Sequence, residues 1–212
     1  MSTNLTVLTL IAALGITSAC SSTRYRDAGE TETVNVDWGS TDLQTFSEKM
    51  ATSLMSAQQL NYLERPGKSD DKRIIAYMGG IRNETREHVN TTAVSDAIRT
   101  QLLQSGKFRF VVDPHGQGEI SEQVRFQQES GKVNPATAIQ FGRQLGAEVV
   151  VYGSLRDIRK TKGRSLESAG SKLEDVYFQF VLNAANVETG EIIWSDLGEI
   201  RKTQRTGLFG AR

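Results

Sequence analysis

The side chains that most often carry chemistry are few in this chain, and their spacing suits little of it. His88 and His115 are the only histidines, 27 residues apart, and Cys20 is the only cysteine. A structural metal needs about four such ligands, so no metal site is expected. Ser154 in Tyr152-Gly153-Ser154-Leu155 lacks the second glycine of a nucleophile elbow. Gly116-Gln117-Gly118 is too short for a phosphate-cradling loop, and no Walker sequence occurs. The paired carboxylates Asp70-Asp71 and Glu174-Asp175 fall at the edges of elements, where solvated turns explain them better than acid–base catalysis. The expectation is a protein with no catalytic residues, no cofactor and no small-molecule substrate.

One residue does have a chemistry written around it. Cys20 closes an uncharged stretch whose middle, Leu5 to Ile16, is mostly apolar, and every Lys, Arg, Asp and Glu lies after it. Small residues Thr17, Ser18 and Ala19 precede it. This is the pattern of a lipoprotein signal: an apolar core too short to span a bilayer, then a cysteine whose sulfur takes a lipid. Residues 1–19 read as the signal and Cys20 as the lipidated first residue of the mature chain. Ser21, rather than Asp, favours the outer membrane, with the domain facing the periplasm. A lone lipidated cysteine leaves no disulfide within the chain.

Charge provides the remaining candidates. Lys and Arg number 25 and Asp and Glu also 25, so no global field points to nucleic acid. Locally, Arg156 to Arg164 carries Arg156, Arg159, Lys160, Lys162 and Arg164 against one acid, Asp157, and the stretch from Arg201 to Arg212 includes Arg201 and Lys202 and no acid. Both clusters lie near one predicted hairpin and could form one face for an acidic partner. The loop with Arg82, Asn83, Thr85 and Arg86 is a third candidate, because it ends a buried strand just before a helix.

The elements that must position these residues follow from periodicity. Residues 20–40 are polar and read as a flexible tether. Residues 41–212 read as a single globular domain with a loose tail from Arg201. Leu43, Phe46, Met50 and Leu54 mark a helix over 41–60, capped by Ser40 or Thr41. Arg73 to Met78 is a short strand ended by Gly79-Gly80, and a polar loop follows. Val94, Ile98 and Leu102 mark a second helix, capped by Thr91 or Thr92, and Lys107 to Asp113 a second strand. Pro114 to Gly118 turns the chain; Ile120, Val124 and Phe126 mark a third helix, and Asn134-Pro135 starts a fourth. Glu148 to Leu155 is a valine-rich strand, 156–172 a loop or extended strand tip, and Val176 to Val187 and Ile192 to Glu199 a closing β-hairpin about Thr189-Gly190. The expected class is α+β, a small mixed sheet of about four or five strands flanked by about four helices.

Three stretches carry a resemblance. They are Asn83 with the helix Ala93 to Leu103 and Ser105-Gly106-Lys107-Phe108-Arg109-Phe110-Val111; Gly142 to Asp157; and Val187 to Ser195, with Thr189-Gly190-Glu191-Ile192-Ile193-Trp194 its sharpest piece. Over roughly residues 73–198 the chain resembles the LpoB lipoproteins, within a wider group of TolB N-terminal and CsgG-like folds. The resemblance implies a non-catalytic activator that docks on a class A penicillin-binding protein and stimulates peptidoglycan synthesis. The other reading is an assembly or secretion-apparatus lipoprotein of the envelope. The chain departs from long-tethered members in having three prolines, Pro66, Pro114 and Pro135, none of them in the tether.

Overall fold

A computed structural model of the protein describes residues 26–32, 34–63, 70–132, 134, 146–164, 170–207 and 210–211. The chain divides into a unit Met1–Glu30 and a unit Thr31–Arg212. In the first, residues 26–30 form a turn in which Asp27 Oδ1 accepts from Gly29 N and Arg26 pairs with Glu30 at 2.5 Å. Cys20 and the signal lie outside the described residues.

The second unit is an α+β fold built on one mixed sheet. Its elements are α1 (Ser40–Met55), a 3₁₀ turn (Gln58–Tyr62), β1 (Ile74–Glu84), α2 (Thr91–Gln104), β2 (Phe108–Val111), α3 (Pro114–Glu129), β3 (Val149–Lys162), β4 (Lys172–Asn186), β5 (Ile192–Gly207) and the two-residue β6 (Gly210–Ala211). The strand order is β2-β1-β3-β4-β5-β6. β1 runs parallel to β2 and β3, and the pairs from β3 to β6 are antiparallel.

The helices form where the apolar spacing puts them. Phe46, Met50, Ala51 and Leu54 make the buried stripe of α1, and Val94, Ile98 and Leu102 that of α2. Both stripes enter one core with Val151, Leu155, Val176, Phe178, Phe180, Leu182 and Ala184, which alternate along β3 and β4 on one face of the sheet. Phe46 lies 5.6 Å from Phe180 and stacks at 5.6 Å on Trp38, whose ring also meets Phe178 edge-on.

Several boundaries differ from those read in the sequence. Gly79-Gly80 does not end β1; the pairing with β3 shifts register between Met78 and Ile81, and the strand runs on to Glu84. These glycines make a bulge rather than a stop. Pro114 to Gly118 is not a turn but the first turn of α3, with Pro114 at its start and Asp113 Oδ1 accepting from Gly116 N at 2.8 Å. Gly39, not Ser40 or Thr41, stands at the start of α1. Of the two alternatives for the basic stretch after Leu155 the strand tip holds, since β3 runs on to Lys162, whereas the tail from Arg201, read as loose, is the far half of β5, held by β4 as far as Thr206. Short-range periodicity could not show this, because the order there comes from cross-strand pairing. The helix expected after Asn134, and residues 165–169 of the basic segment, lie outside the described residues.

The cap of α2 is Asn90, one residue earlier than read, with its side-chain oxygen accepting from Ala93 N at 3.3 Å. Asn90→Ala removes that acceptor and lowers stability by about 1 kcal/mol, measured as a shift in urea midpoint at unchanged slope.

Candidate docking surface

The lengthened hairpin carries two rows of side chains, and the two rows do different things. Along β3, Arg156, Ile158, Lys160 and Lys162 point to one face, while Asp157 and Arg159 point to the other, packed by α1 and α2. Register continues the division across the sheet: Lys160 pairs with Asp175 and that with Thr203, whereas Arg159 pairs with Val176 and that with Lys202.

On the packed face the cations are locked. The Arg159 guanidinium, only 20% exposed, bonds Glu174 Oε1 at 2.8 Å, Asp37 Oδ1 at 2.9 Å and, by a short contact, Glu87. Glu87 also accepts from Trp38 N at 2.7 Å. Lys202 Nζ sits 2.5 Å from Asp42 Oδ2, a carboxylate 3% exposed, donates to Asp37 O at 2.7 Å, and lies 5.9 Å from the Phe178 ring centre. Arg159 and Lys202 therefore clamp the segment entering α1 onto the sheet. Lys172 and Arg159 beside Glu174 hold its carboxyl below the usual range, the hydrogen bond from Lys172 first. A carboxyl so depressed stabilises the fold above the unfolded value, near 4.5, and that stability is lost as pH falls through the lower folded value. The urea midpoint is expected to fall between pH 5 and 3, on the order of the carboxylate range. Arg159→Leu lowers the unfolding free energy by about 2 kcal/mol at pH 7 and reduces this acid slope without removing it, because Glu174 keeps Lys172.

On the other face the side chains stand open. Arg156, Ile158, Lys160, Leu173, Leu197, Glu199, Arg201, Thr203 and Arg205 are all exposed, Ile158 to 57%. Arg82 and Glu84 of β1 extend the same face, since they pair in register with Ser154 and Arg156. Its described residues include six cations (Arg82, Arg156, Lys160, Lys162, Arg201 and Arg205) against three carboxylates (Glu84, Asp175 and Glu199), in a chain that is neutral overall. Arg156 Nε reaches Glu84 at 2.5 Å, and Arg201 grips Asp175 with its closest contact 2.6 Å, yet remains 69% exposed. The bond from Arg201, then that from Thr203, depresses the Asp175 carboxyl. Tyr177 donates its hydroxyl to Glu199, which pushes the phenol up. The result is a cationic sheet surface with apolar studs, complementary in charge to an acidic partner.

The loop candidates divide likewise. Arg82 is 76% exposed. Asn83 builds the turn rather than projecting from it: its Oδ1 accepts from Thr85 N and its Nδ2 donates to Glu87 O. Arg86 is exposed while its backbone N donates to Asp157 Oδ1. Arg164 lies beyond β3 and reaches Gly207 O at 3.5 Å. Thus Arg82, Arg156, Lys160 and Arg201 share one open face, and Arg159 and Lys202 do not. Ile158, Tyr177 and Leu197 belong to that face and were missed; the alternation Arg156-Ile158-Lys160 is the signal that exposes Ile158, once 156–162 is read as strand. Among the described residues no cluster of His, Cys, Asp and Glu could hold a metal ion, and no helix is long and apolar enough to cross a membrane.

Comparison with known proteins places this architecture. The family described as peptidoglycan-synthase activator LpoB matches residues 42–200. The chain is similar to the penicillin-binding protein activator LpoB of Photorhabdus laumondii, 27% identical over 122 residues, covering 57% of this chain and 55% of that one. It is also similar to the protein of the same name from Dickeya dadantii, 24% identical over 128 residues, 60% of this chain and 57% of that one. The matches thus span little more than half the length of these relatives. Among solved structures, the LpoB C-terminal domain from Escherichia coli aligns with 75% of this chain and 98% of its own, at 18% identity and a TM-score of 0.39. Because the family match covers all of the sheet from β1 to the middle of β5, together with α1, α2 and α3, the chain belongs to the LpoB family.

Proposed function

We propose that the protein is a non-catalytic outer-membrane lipoprotein, anchored through Cys20, that docks on a class A penicillin-binding protein in the periplasm and stimulates peptidoglycan synthesis. In this reading residues 1–19 are a signal, Cys20 to Glu30 a tether, shorter than the 20–40 read from the sequence because Val36 is buried and Trp38 stacks on Phe46, and the docking domain starts at Thr31. The observation that carries it is family membership across residues 42–200. The open cationic face of β3–β5 supplies a surface suited to the task, and Arg82, Arg156, Lys160 and Arg201 are its proposed contacts.

The mechanism is a population shift. A synthase that interconverts between less and more active conformers is driven toward the active one by a partner that binds it more tightly, and only by the difference in affinity. A rigid docking surface suits this, because little binding energy is lost in ordering it. Reach is the physical constraint. The segment entering α1 packs on the sheet through Val36 and Trp38, so the stretch left between Cys20 and Thr31 is about ten residues, with a full extension of roughly 35 Å and a coil reach of about 17 Å; the partner must come close to the outer membrane.

The test is direct binding of lipid-free residues 21–212 to each purified class A penicillin-binding protein of the same organism, followed by a glycan-polymerisation assay. Saturable binding to one synthase with a raised polymerisation rate is expected. Absence of binding to all of them, or binding without a change in rate, overturns the reading.

A further inference from the structure

The long strand β5 has a free edge. β4 pairs with it on one side, and on the other, among the described residues, only β6 does, at Thr206 and Gly207. Two contacts show which backbone groups face outward. Lys49 Nζ on α1 donates to Leu197 O at 2.7 Å, and Leu197 N turns to Asp196 Oδ1 at 2.7 Å rather than to β4. In an antiparallel strand the N–H and C=O of one residue point to the same side and alternate along the chain. Glu199, Arg201, Thr203 and Arg205 therefore present their backbone pairs to the open edge. The edge is stopped at one end by the Lys49 ammonium and at the other by β6, leaving about 20 Å between Glu199 and Arg205.

This stretch is not bare surface. A cleft of about 630 Å³ runs beside it, lined by Ile200 to Arg205 except Arg201 on one side and by Thr31, Val34, Val36 and Thr45 among others on the opposite side. Thr31, Glu32 and Val34 to Val36, from the segment that leads into α1, share its lining with β5. Natural edges of this length are usually covered or broken, because they invite another strand to pair. The chemistry along the cleft is graded. Lys202 is neutralised by Asp42, Glu32 accepts from Ser40 N, and threonine, valine and isoleucine supply much of the rest of the lining. At the β6 end, Arg205 bonds the Ser171 hydroxyl and has no carboxylate partner among the described residues.

We propose that this cleft is a β-augmentation site for an extended peptide segment of a partner protein, about seven residues long, with small or β-branched side chains at alternate positions and an acidic residue at the Arg205 end. Backbone pairing with Glu199, Arg201, Thr203 and Arg205 gives affinity, and the two rows of alternating contacts give selectivity. The site shares Thr203 and Arg205 with the rim of the docking face but uses none of the side chains proposed to meet the synthase, Arg82, Arg156, Lys160 and Arg201, and it does not rest on the activator reading.

The test screens the full chain, in detergent, against a displayed library of random decapeptides, then titrates the enriched peptides with a fluorescent label. Enriched sequences are expected to alternate β-branched residues and to contain Asp or Glu, a preference that Arg205→Glu removes. Thr203→Pro deletes an edge-facing N–H and spares the β4 ladder, a position where edge strands accept proline. It should weaken peptide binding about tenfold. N-methylation of alternate peptide amides should do the same on the unaltered protein, which keeps the test independent of how the proline variant folds. No enrichment, binding that survives both changes, or self-association of the protein that Thr203→Pro abolishes overturns the proposal, the last by assigning the edge to a second copy. Synthase affinity measured on Thr203→Pro keeps the two readings apart, because that variant retains Arg82, Arg156, Lys160 and Arg201, the proposed synthase contacts.

Discussion

Phe46→Ala is expected to lower the unfolding free energy by about 4 kcal/mol, or about 12 °C in Tm for a unit of this size. The ring is 1% exposed, stacks on Trp38 and touches the Phe180 ring, so its loss separates α1 from the sheet and loosens the entry segment together. The sheet makes room for it at Gly198, where a Cβ would stand 2.6 Å from Phe46 Cδ1 and 2.9 Å from Met50 Cε. That gives the prediction a second arm. Gly198→Ala alone costs about 1–3 kcal/mol through overpacking. In the Phe46→Ala background the added methyl enters the vacated space, and the cycle should show a favourable coupling of about 1–2 kcal/mol. Additive losses measured by urea denaturation would mean that the ring and the glycine are not complementary.

Why this helix was legible in advance and the clamp beside it was not is a matter of range. The stripe Phe46, Met50 and Leu54 repeats within one segment, and so do Val94, Ile98 and Leu102; burial followed both. The alternation of Val176, Phe178, Phe180 and Leu182 likewise placed β4 and its inward face. The far half of the hairpin lacked any such signal, since Arg201 to Gly207 is polar on both faces and owes its extension to β4. Arg159 shows the limit most clearly. Its neighbours in sequence suggest one basic patch with Arg156, Lys160 and Arg164, but its partners Asp37, Glu87 and Glu174 come from three other places in the chain. A period of two puts Arg159 opposite Arg156 and Lys160 as soon as the strand-tip alternative for 156–172 is taken over the loop. Asn83 is a similar case: its position after a buried strand suggested recognition, and its side chain is spent on the turn that holds Glu87 in reach of Arg159.

Charge reversal of the open face should separate binding from folding where reversal at Arg159 would not. Arg82, Arg156, Lys160 and Arg201 changed together to Glu turn four of the six cations there into acids, and are expected to weaken binding to the synthase about a hundredfold. Most of the loss should appear in the association rate and should shrink as salt is raised, because long-range attraction is screened. The fold should lose no more than about 1 kcal/mol, since Arg156–Glu84 and Arg201–Asp175 are surface pairs whose removal costs little. Arg125→Glu on α3 serves as a control, an exposed cation outside the sheet. Ile158→Ser tests the same surface without altering its charge; loss of a central apolar stud should weaken binding about tenfold and leave the salt dependence intact. If the fourfold variant binds with wild-type affinity while remaining folded by circular dichroism, the partner meets the domain elsewhere, and the exposed loop around Arg86 becomes the surface to test next.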